Sequence, residues 1–253
     1  MDIIIDIANA PKQKEIIENI DKSYCKIKDT QVTIVGIYNE DKRVHDVYRY
    51  NLIITNNSNY KLEKLDLDKD CKFFEQSRFN DYNVNKIYKN YKIIVLILES
   101  PHKDEYTDSF DPIAPAQGTT GDRINKYLCN ILLKNKCEIE KDIYNVIICN
   151  PVQFQASLYT LHDQALSSKN TAVGAIRDKV WKAIFDKEKN NFQQRLVKYN
   201  PTIIINACTA KLKSSVTDMI KKEFNCILYE SSKHPCIWSD TITLDSPPWN
   251  KGG

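Results

Sequence analysis

The sequence predicts an α/β fold with three layers, in which helices cover both faces of a mostly parallel central sheet. Four short apolar runs predict the sheet, because each has the length and composition of a strand buried on both faces. Helical patterns separate the runs, and this alternation is typical of layered α/β domains. The runs are 93–98, 144–149, 202–206 and 226–229, and the helical patterns are 122–134, 172–187, 192–198 and 210–224.

Residues 1–90 follow another pattern and predict a β-rich N-terminal extension to the α/β domain, which we assign to residues 91–253. Val, Ile, Thr and Tyr are frequent in this extension, as they are in strands. Turn-forming residues separate its strand patterns, which favours a β-hairpin. The expected elements are a helix over Lys12–Ile20, strands over Gln31–Tyr38 and Val44–Thr55, and turns over 39–42 and 56–59.

The composition is that of an ordinary globular protein. Of 253 residues, 42% are hydrophobic and 27% are charged, so the chain can bury a large core. The net charge of +3 permits binding to nucleic acid but does not require it. No apolar run has the length of a membrane span, and the N-terminus lacks the pattern of a signal peptide. The sequence therefore predicts no membrane association.

The eight cysteines predict free thiols. None forms a C-x-x-C pair or a Cys/His spacing typical of zinc or iron–sulfur sites, and several lie in apolar runs. We therefore expect a reducing compartment, the cytoplasm, and neither a metal nor another cofactor.

Candidate functional residues follow the predicted strands, where open α/β sheets bind their ligands. Glu99 comes after the first apolar run, and a partly desolvated carboxylate there suits a general base. His234 follows the last run and could stabilise an oxyanion or bind phosphate. Each residue also has a purely structural interpretation. Glu99 could be a helix-capping or ion-paired acid, and His234 could be a histidine that forms a structural hydrogen bond within its loop.

The segment Pro115–Gly121 leads into a predicted helix and contains two glycines and two threonines. Backbone amides at such a helix start can bind an anion. The lysine of a phosphate-binding Walker loop is missing, so a plain capping loop is an equally open interpretation.

Four motifs in order resemble those of the uracil-DNA glycosylase superfamily, and most closely its branch with a Gly-Glu-Ala-Pro-Gly motif. The motifs here are Leu98–His102, Pro115–Gly121, Asn145–Pro151 and His234-Pro235. The resemblance covers residues 92–238 and implies the fold of that superfamily and hydrolysis of an N-glycosidic bond.

The resemblance also implies roles for individual residues. Glu99 would position or activate water at C1′ of the sugar, Asn145 would read the edge of the base, and His234 would stabilise the departing base. The partner would be DNA, with the target base flipped out or already single-stranded. The other expected substrate contacts are Ser100, Pro101, His102, Ala116, Gln117, Gly118, Asn150, Phe154 and Lys233.

The chain departs from this pattern at several positions. Leu98 and His102 replace glycines, Ala116 replaces the aromatic residue that stacks on uracil, and the iron–sulfur cysteines of the closest branch are missing. Without that ring the pocket would be wider. We therefore expect an altered or bulkier pyrimidine, such as a modified base of invading viral DNA.

Two other functions stay open from the sequence. The same chemistry could act on free nucleosides or nucleotides, and a weak salt dependence would distinguish that activity from action on DNA. Alternatively, the fold could be an inactive binding module, with residues 1–90 as a partner surface. Unchanged biological activity after Glu99→Gln would favour the second alternative.

Overall fold

The computed structural model describes residues 1–56, 59–64, 92–162 and 171–246, which divide into two compact units. The expected boundary between residues 90 and 91 lies outside the described residues. The first unit comprises Met1–Val44, Ser100–Ile113 and Pro151–Phe192, and the second comprises His45–Glu99, Ala114–Asn150 and Gln193–Gly253.

The first unit contains a three-stranded antiparallel sheet in the order β1-β3-β2. Burial alternates along β1, so one face of that strand supplies Ile3 and Ile5 to the core. The helix expected over 12–20 is present and begins at a proline, which is favourable at the first helical position. The elements are β1 (Ile3–Asp6), α1 (Pro11–Glu18), β2 (Cys25–Lys28) and β3 (Gln31–Ile34).

The hairpin expected between residues 31–38 and 44–55 is wrong. Both edges of β3 are already occupied by β1 and β2, so β3 has no free edge for the next strand. The intervening turn is a 3-10 helix, Glu40–Lys42, and Arg43 after it forms ion pairs with Glu40 and Glu188. Turn-forming residues were therefore identified correctly, but they do not determine which strands pair.

The second unit contains a seven-stranded mixed sheet in the order β10-β9-β8-β6-β7-β4-β5. Its centre consists of the four apolar strands predicted from the sequence, which are parallel to one another, and the other three strands are antiparallel to their neighbours. The strands are β4 (Val47–Asn56), β5 (Asn59–Lys64), β6 (Lys92–Ile97), β7 (Asp142–Cys149), β8 (Ile203–Asn206), β9 (Ile227–Ser231) and β10 (Leu244–Asp245).

Three further helices complete the secondary structure of the described residues, and the α/β class is confirmed. They are α2 (Gly118–Lys134), α3 (Thr171–Tyr199) and α4 (Ala210–Glu223). The two helices expected over 172–187 and 192–198 are the single helix α3. No proline or glycine lies between them, and the polar residues there do not stop a helix.

Within the second unit, α2 contacts β5 and the 3-10 helix Pro235–Ile237, and α4 contacts β8. Leu212, Val216 and Ile220 form the buried stripe of α4. Among the described residues, no helix is both long and apolar enough to cross a membrane.

Candidate functional site

The parallel strands of the second unit end at one edge of the sheet. Ile97 at the end of β6 is paired with Cys149 on one side and with Asn206 on the other. The residues that follow these ends therefore emerge together. They are Glu99 after β6, Asn150 after β7, the segment Ala207–Thr209 after β8, and Lys233 and His234 after β9.

Glu99 is buried at this edge, with only 5% of its surface exposed. Its Oε2 accepts the backbone N–H of Thr209 at 3.3 Å. The neighbouring Cys208 thiol donates to the carbonyl of Leu98, and burial together with the charge of Glu99 raises the pKa of that thiol well above its usual value. Cys208 therefore remains a neutral thiol.

Asn150 is 1% exposed, and neither its Nδ2 nor its Oδ1 has a hydrogen-bond partner among the described residues. The hydroxyl oxygen of Thr209 is also buried without a partner within that part of the chain. Buried polar groups are nearly always hydrogen-bonded, because an unmade bond costs about 1–3 kcal/mol. An amide left in this state at the end of a parallel strand is suited to recognising a ligand.

Sequence reasoning missed the buried network that holds Asn150. The carboxylate of Asp46 accepts the backbone N–H of Asn150 at 3.1 Å and the Tyr199 hydroxyl at 2.8 Å. Arg195 forms an ion pair with Asp46 and donates to the carbonyl of Asn150 at 2.9 Å. The backbone of Asn150 is thus held on both sides. The available signal was an aspartate inside an apolar strand pattern, where an acid is rarely buried without a partner.

The carboxylate of Asp46 also affects Cys149. Desolvation by burial and the charge of Asp46 raise the pKa of the Cys149 thiol well above its usual value. The thiol donates to Asp46 at 3.1 Å and is 0% exposed. Cys149 therefore acts here as a buried donor, and not as a nucleophile.

His234 lies at the end of β9 and caps the 3-10 helix Pro235–Ile237. Its Nδ1 accepts the backbone N–H of Cys236 at 3.3 Å, which places the proton of a neutral imidazole on Nε2. The loop is anchored by the buried Trp238, whose indole N–H donates to the carbonyl of Lys233 at 3.0 Å. The Lys233 residue itself is exposed.

The loop before α2 contains Ala116, Gln117 and Gly118. Ala116 is fully buried with φ +59°, a left-handed conformation that is unfavourable for a residue with a side chain. A Cβ on Gly121 would lie 2.1 Å from the Ala116 carbonyl oxygen, so only glycine fits there. With its amide oxygen turned towards Arg49, Gln117 accepts from both terminal guanidinium nitrogens at 3.2 and 3.3 Å.

Asn145 is not brought together with Glu99. It lies within β7 opposite Ile93, which precedes Glu99 by six residues, a separation of about 20 Å along a strand. Its Oδ1 accepts the hydroxyl of Tyr48 at 2.6 Å. The amide at the carboxyl end of β7 is that of Asn150, itself one of the expected substrate contacts.

Four of the expected substrate contacts belong to the first unit. Ser100 is half-buried and Pro101 is buried. His102 is exposed, with its Nδ1 at 3.3 Å from a carboxylate oxygen of Asp104. Phe154 is 2% exposed.

The surroundings of Phe154 are those of a core residue. Its ring meets Tyr38 edge-on at 5.9 Å, and the Arg43 guanidinium lies 4.6 Å from its centroid. Phe154 therefore packs inside the first unit and does not present a free face for stacking.

Among the described residues, no cluster of His, Cys, Asp or Glu could hold a metal ion. The chain has no match among protein-family models, curated proteins or solved structures. Function must therefore be argued from the site itself.

Proposed function

We propose that this protein is a DNA glycosylase, which hydrolyses the N-glycosidic bond of a uracil-like or modified pyrimidine and leaves an abasic site. The observation that carries the proposal is the pair formed by a buried carboxylate, Glu99, and the buried amide of Asn150, which has no partner in the described part of the chain, on adjacent parallel strand ends. The proposal includes the three-layer arrangement and the cytoplasmic location expected from the sequence.

The amide of Asn150 suits a pyrimidine base. It offers one acceptor and two donors in a plane, and a pyrimidine such as uracil presents a carbonyl oxygen beside a ring N–H. A base bound there would satisfy both orphaned atoms. An analogue without matching groups would leave them unpaired, and such sites discriminate strongly for that reason.

Glu99 and His234 would act on opposite sides of the breaking bond. The carboxylate of Glu99 would accept a proton from the attacking water, or stabilise the positive charge that develops on the sugar. The Nε2–H of His234 would donate to the oxygen of the departing base, whose negative charge is otherwise costly in a water-poor site.

The test is base release from a panel of single- and double-stranded DNAs that contain plain, uracil and bulky modified pyrimidines. Abasic sites are revealed by alkaline cleavage. We expect release of at least one base, with Glu99→Gln lowering the rate by about 10²–10⁴-fold at unchanged folding. Full activity of Glu99→Gln would contradict the proposal. Release of a base from free nucleosides but not from DNA would show that the substrate is a nucleoside.

A matched pair of asparagine variants tests the recognition step. Asn150→Ala should lose base release while the fold is retained, because the wild-type amide has no hydrogen-bond partner to lose among the described residues. Asn145→Ala should lower the free energy of unfolding, because it removes one of the two acceptors around the Tyr48 hydroxyl, the other being Asn51, yet retain release by the folded fraction. The opposite pattern would assign base recognition to Asn145.

A further inference from the structure

Arg49 lies at an irregularity of β4. The register of β4 against β7 shifts between Tyr48 and Tyr50, so Arg49 is the additional residue at this β-bulge. Bulges redirect a side chain out of the regular alternation of a strand and are frequent beside functional sites. Here the bulge directs Arg49 to the loop before α2, where its Nη2 lies 3.3 Å from the Ala116 carbonyl oxygen.

The positive charge of Arg49 has no carboxylate counter-charge among the described residues. The residue is 7% exposed, and its buried Nε has no hydrogen-bond partner in that part of the chain. The terminal nitrogens donate to the carbonyl of Ala116 and the amide of Gln117, and the guanidinium also interacts with the hydroxyl of Tyr50; all three groups are neutral. Buried charges are normally paired, so an arginine in this environment is suited to binding an anion.

A second source of positive potential lies at the same place. Gln117 is the N-cap of α2, a helix of 17 residues, and no side chain caps its first amides. The first turn of a helix has unsatisfied N–H groups and a partial positive charge. Gly118 and Thr119 in this turn are exposed, so a ligand can approach the amides from solvent.

We propose that Arg49 and the N-terminus of α2 form a binding site for a phosphate group. Gln117 connects the two, because it occupies the N-cap position of the helix and its amide oxygen accepts from the guanidinium. The absence of a Cβ at Gly121 lets the Ala116 carbonyl pack against the helix, which keeps the loop close to Arg49. The site requires no glycosidase chemistry and does not rest on the proposed function.

The phosphate could be a backbone phosphodiester of nucleic acid or the monoester of a free nucleotide. The experiment is calorimetric titration of the full chain, in phosphate-free buffer, with inorganic phosphate, a nucleoside 5′-monophosphate and a short oligothymidylate without terminal phosphates. Tighter binding of the oligonucleotide than of the monophosphate assigns the site to nucleic acid, and the reverse order assigns it to a nucleotide. Either result supports the site if it depends on Arg49.

Three variants test that dependence. Arg49→Met should weaken phosphate binding by at least about tenfold, because it removes a charge-assisted hydrogen-bond donor. Arg49→Lys keeps the charge and should retain part of the affinity, which distinguishes loss of the site from loss of the fold. Lys126→Met removes an exposed charge from α2 and should change the affinity less than about twofold. Absence of phosphate binding by the wild type, or equal binding by Arg49→Met, would overturn the proposal.

Discussion

The carboxylate of Asp46 accepts the backbone N–H of Asn150 at 3.1 Å, and so fixes the residue whose own side-chain amide is buried without a partner among the described residues. Arg195 completes the arrangement by pairing with Asp46 and donating to the Asn150 carbonyl. Under the proposed function, these backbone contacts hold Asn150 in place and leave its side-chain amide available to a ligand.

Asp46→Asn should lower the free energy of unfolding by about 3–5 kcal/mol, because it leaves the largely buried Arg195 without a counter-charge. Urea denaturation measures the change. Asp218→Asn, at an exposed position of α4, serves as the control and should stay within about 0.5 kcal/mol of the wild type. Equal changes in the free energy of unfolding for the two variants would show that Asp46, paired with Arg195, contributes no more to stability than an exposed aspartate.

Gly121→Ala should destabilise the protein by about 1–3 kcal/mol or more, since the new methyl group would lie on the Ala116 carbonyl oxygen. Gly174→Ala is the matched control within α3, where a Cβ meets nothing within 4 Å, and it should stabilise by about 0.5–1 kcal/mol. Thermal denaturation of both variants gives the comparison. A Gly121→Ala variant that is more stable than the wild type would contradict the close approach of the Ala116 carbonyl oxygen to Gly121.

Lys136→Gly should stabilise the protein by about 0.5–1 kcal/mol, because Lys136 has φ +49° just after the end of α2. The backbone there forms a helix-ending turn, in which Cys137 N–H donates to the Leu132 carbonyl at 3.2 Å. Lys136→Ala removes the charge but keeps the strain, and should give none of this gain. An equal gain in the free energy of unfolding for both variants would show that the effect comes from removal of the charge and not from relief of the backbone strain.

Stability should fall as the pH rises from about 9 to 11. Burial raises the pKa of Cys25, Cys129, Cys137 and Cys226 from 9.0 to about 11. Between these values the unfolded chain has released its thiol protons and the folded chain has kept them, so each rise in pH favours unfolding.

Thermal midpoints measured across that range test the linkage. Cys226→Ala should make the decline shallower, whereas Cys236→Ala, which removes an exposed thiol, should leave it unchanged. Identical pH profiles for wild type and Cys226→Ala would show that this thiol does not contribute.

Local sequence patterns predicted the central strands well. Runs such as 93–98 are apolar throughout, because both faces of the strand are buried and it needs no alternation of polar and apolar residues. The ends of this run lie within two residues of the ends of the observed β6. Partner choice was not predictable in the same way. The pairing of β4 with β7 depends on which sheet edges are free, and this information is distributed over the whole chain.

The site was predictable only where it follows a strand end. This rule made Glu99 and Asn150 candidates, whereas it did not point to Asp46, Arg49 or Arg195. Asp46 and Arg195 lie far apart in sequence, and the position of Asp46 in an apolar pattern indicates a buried partner but not which residue supplies it. Arg49 depends on a bulge, which no periodicity reveals.

The division into units has a consequence for the synthesis of this protein. The chain passes between the two units five times, and each unit is completed by its third segment, Pro151–Phe192 or Gln193–Gly253. During synthesis, the unit that contains Met1–Val44 therefore cannot fold completely until residues beyond 150 have been added. Any continuous fragment that contains all three segments of one unit therefore also contains part of the other unit.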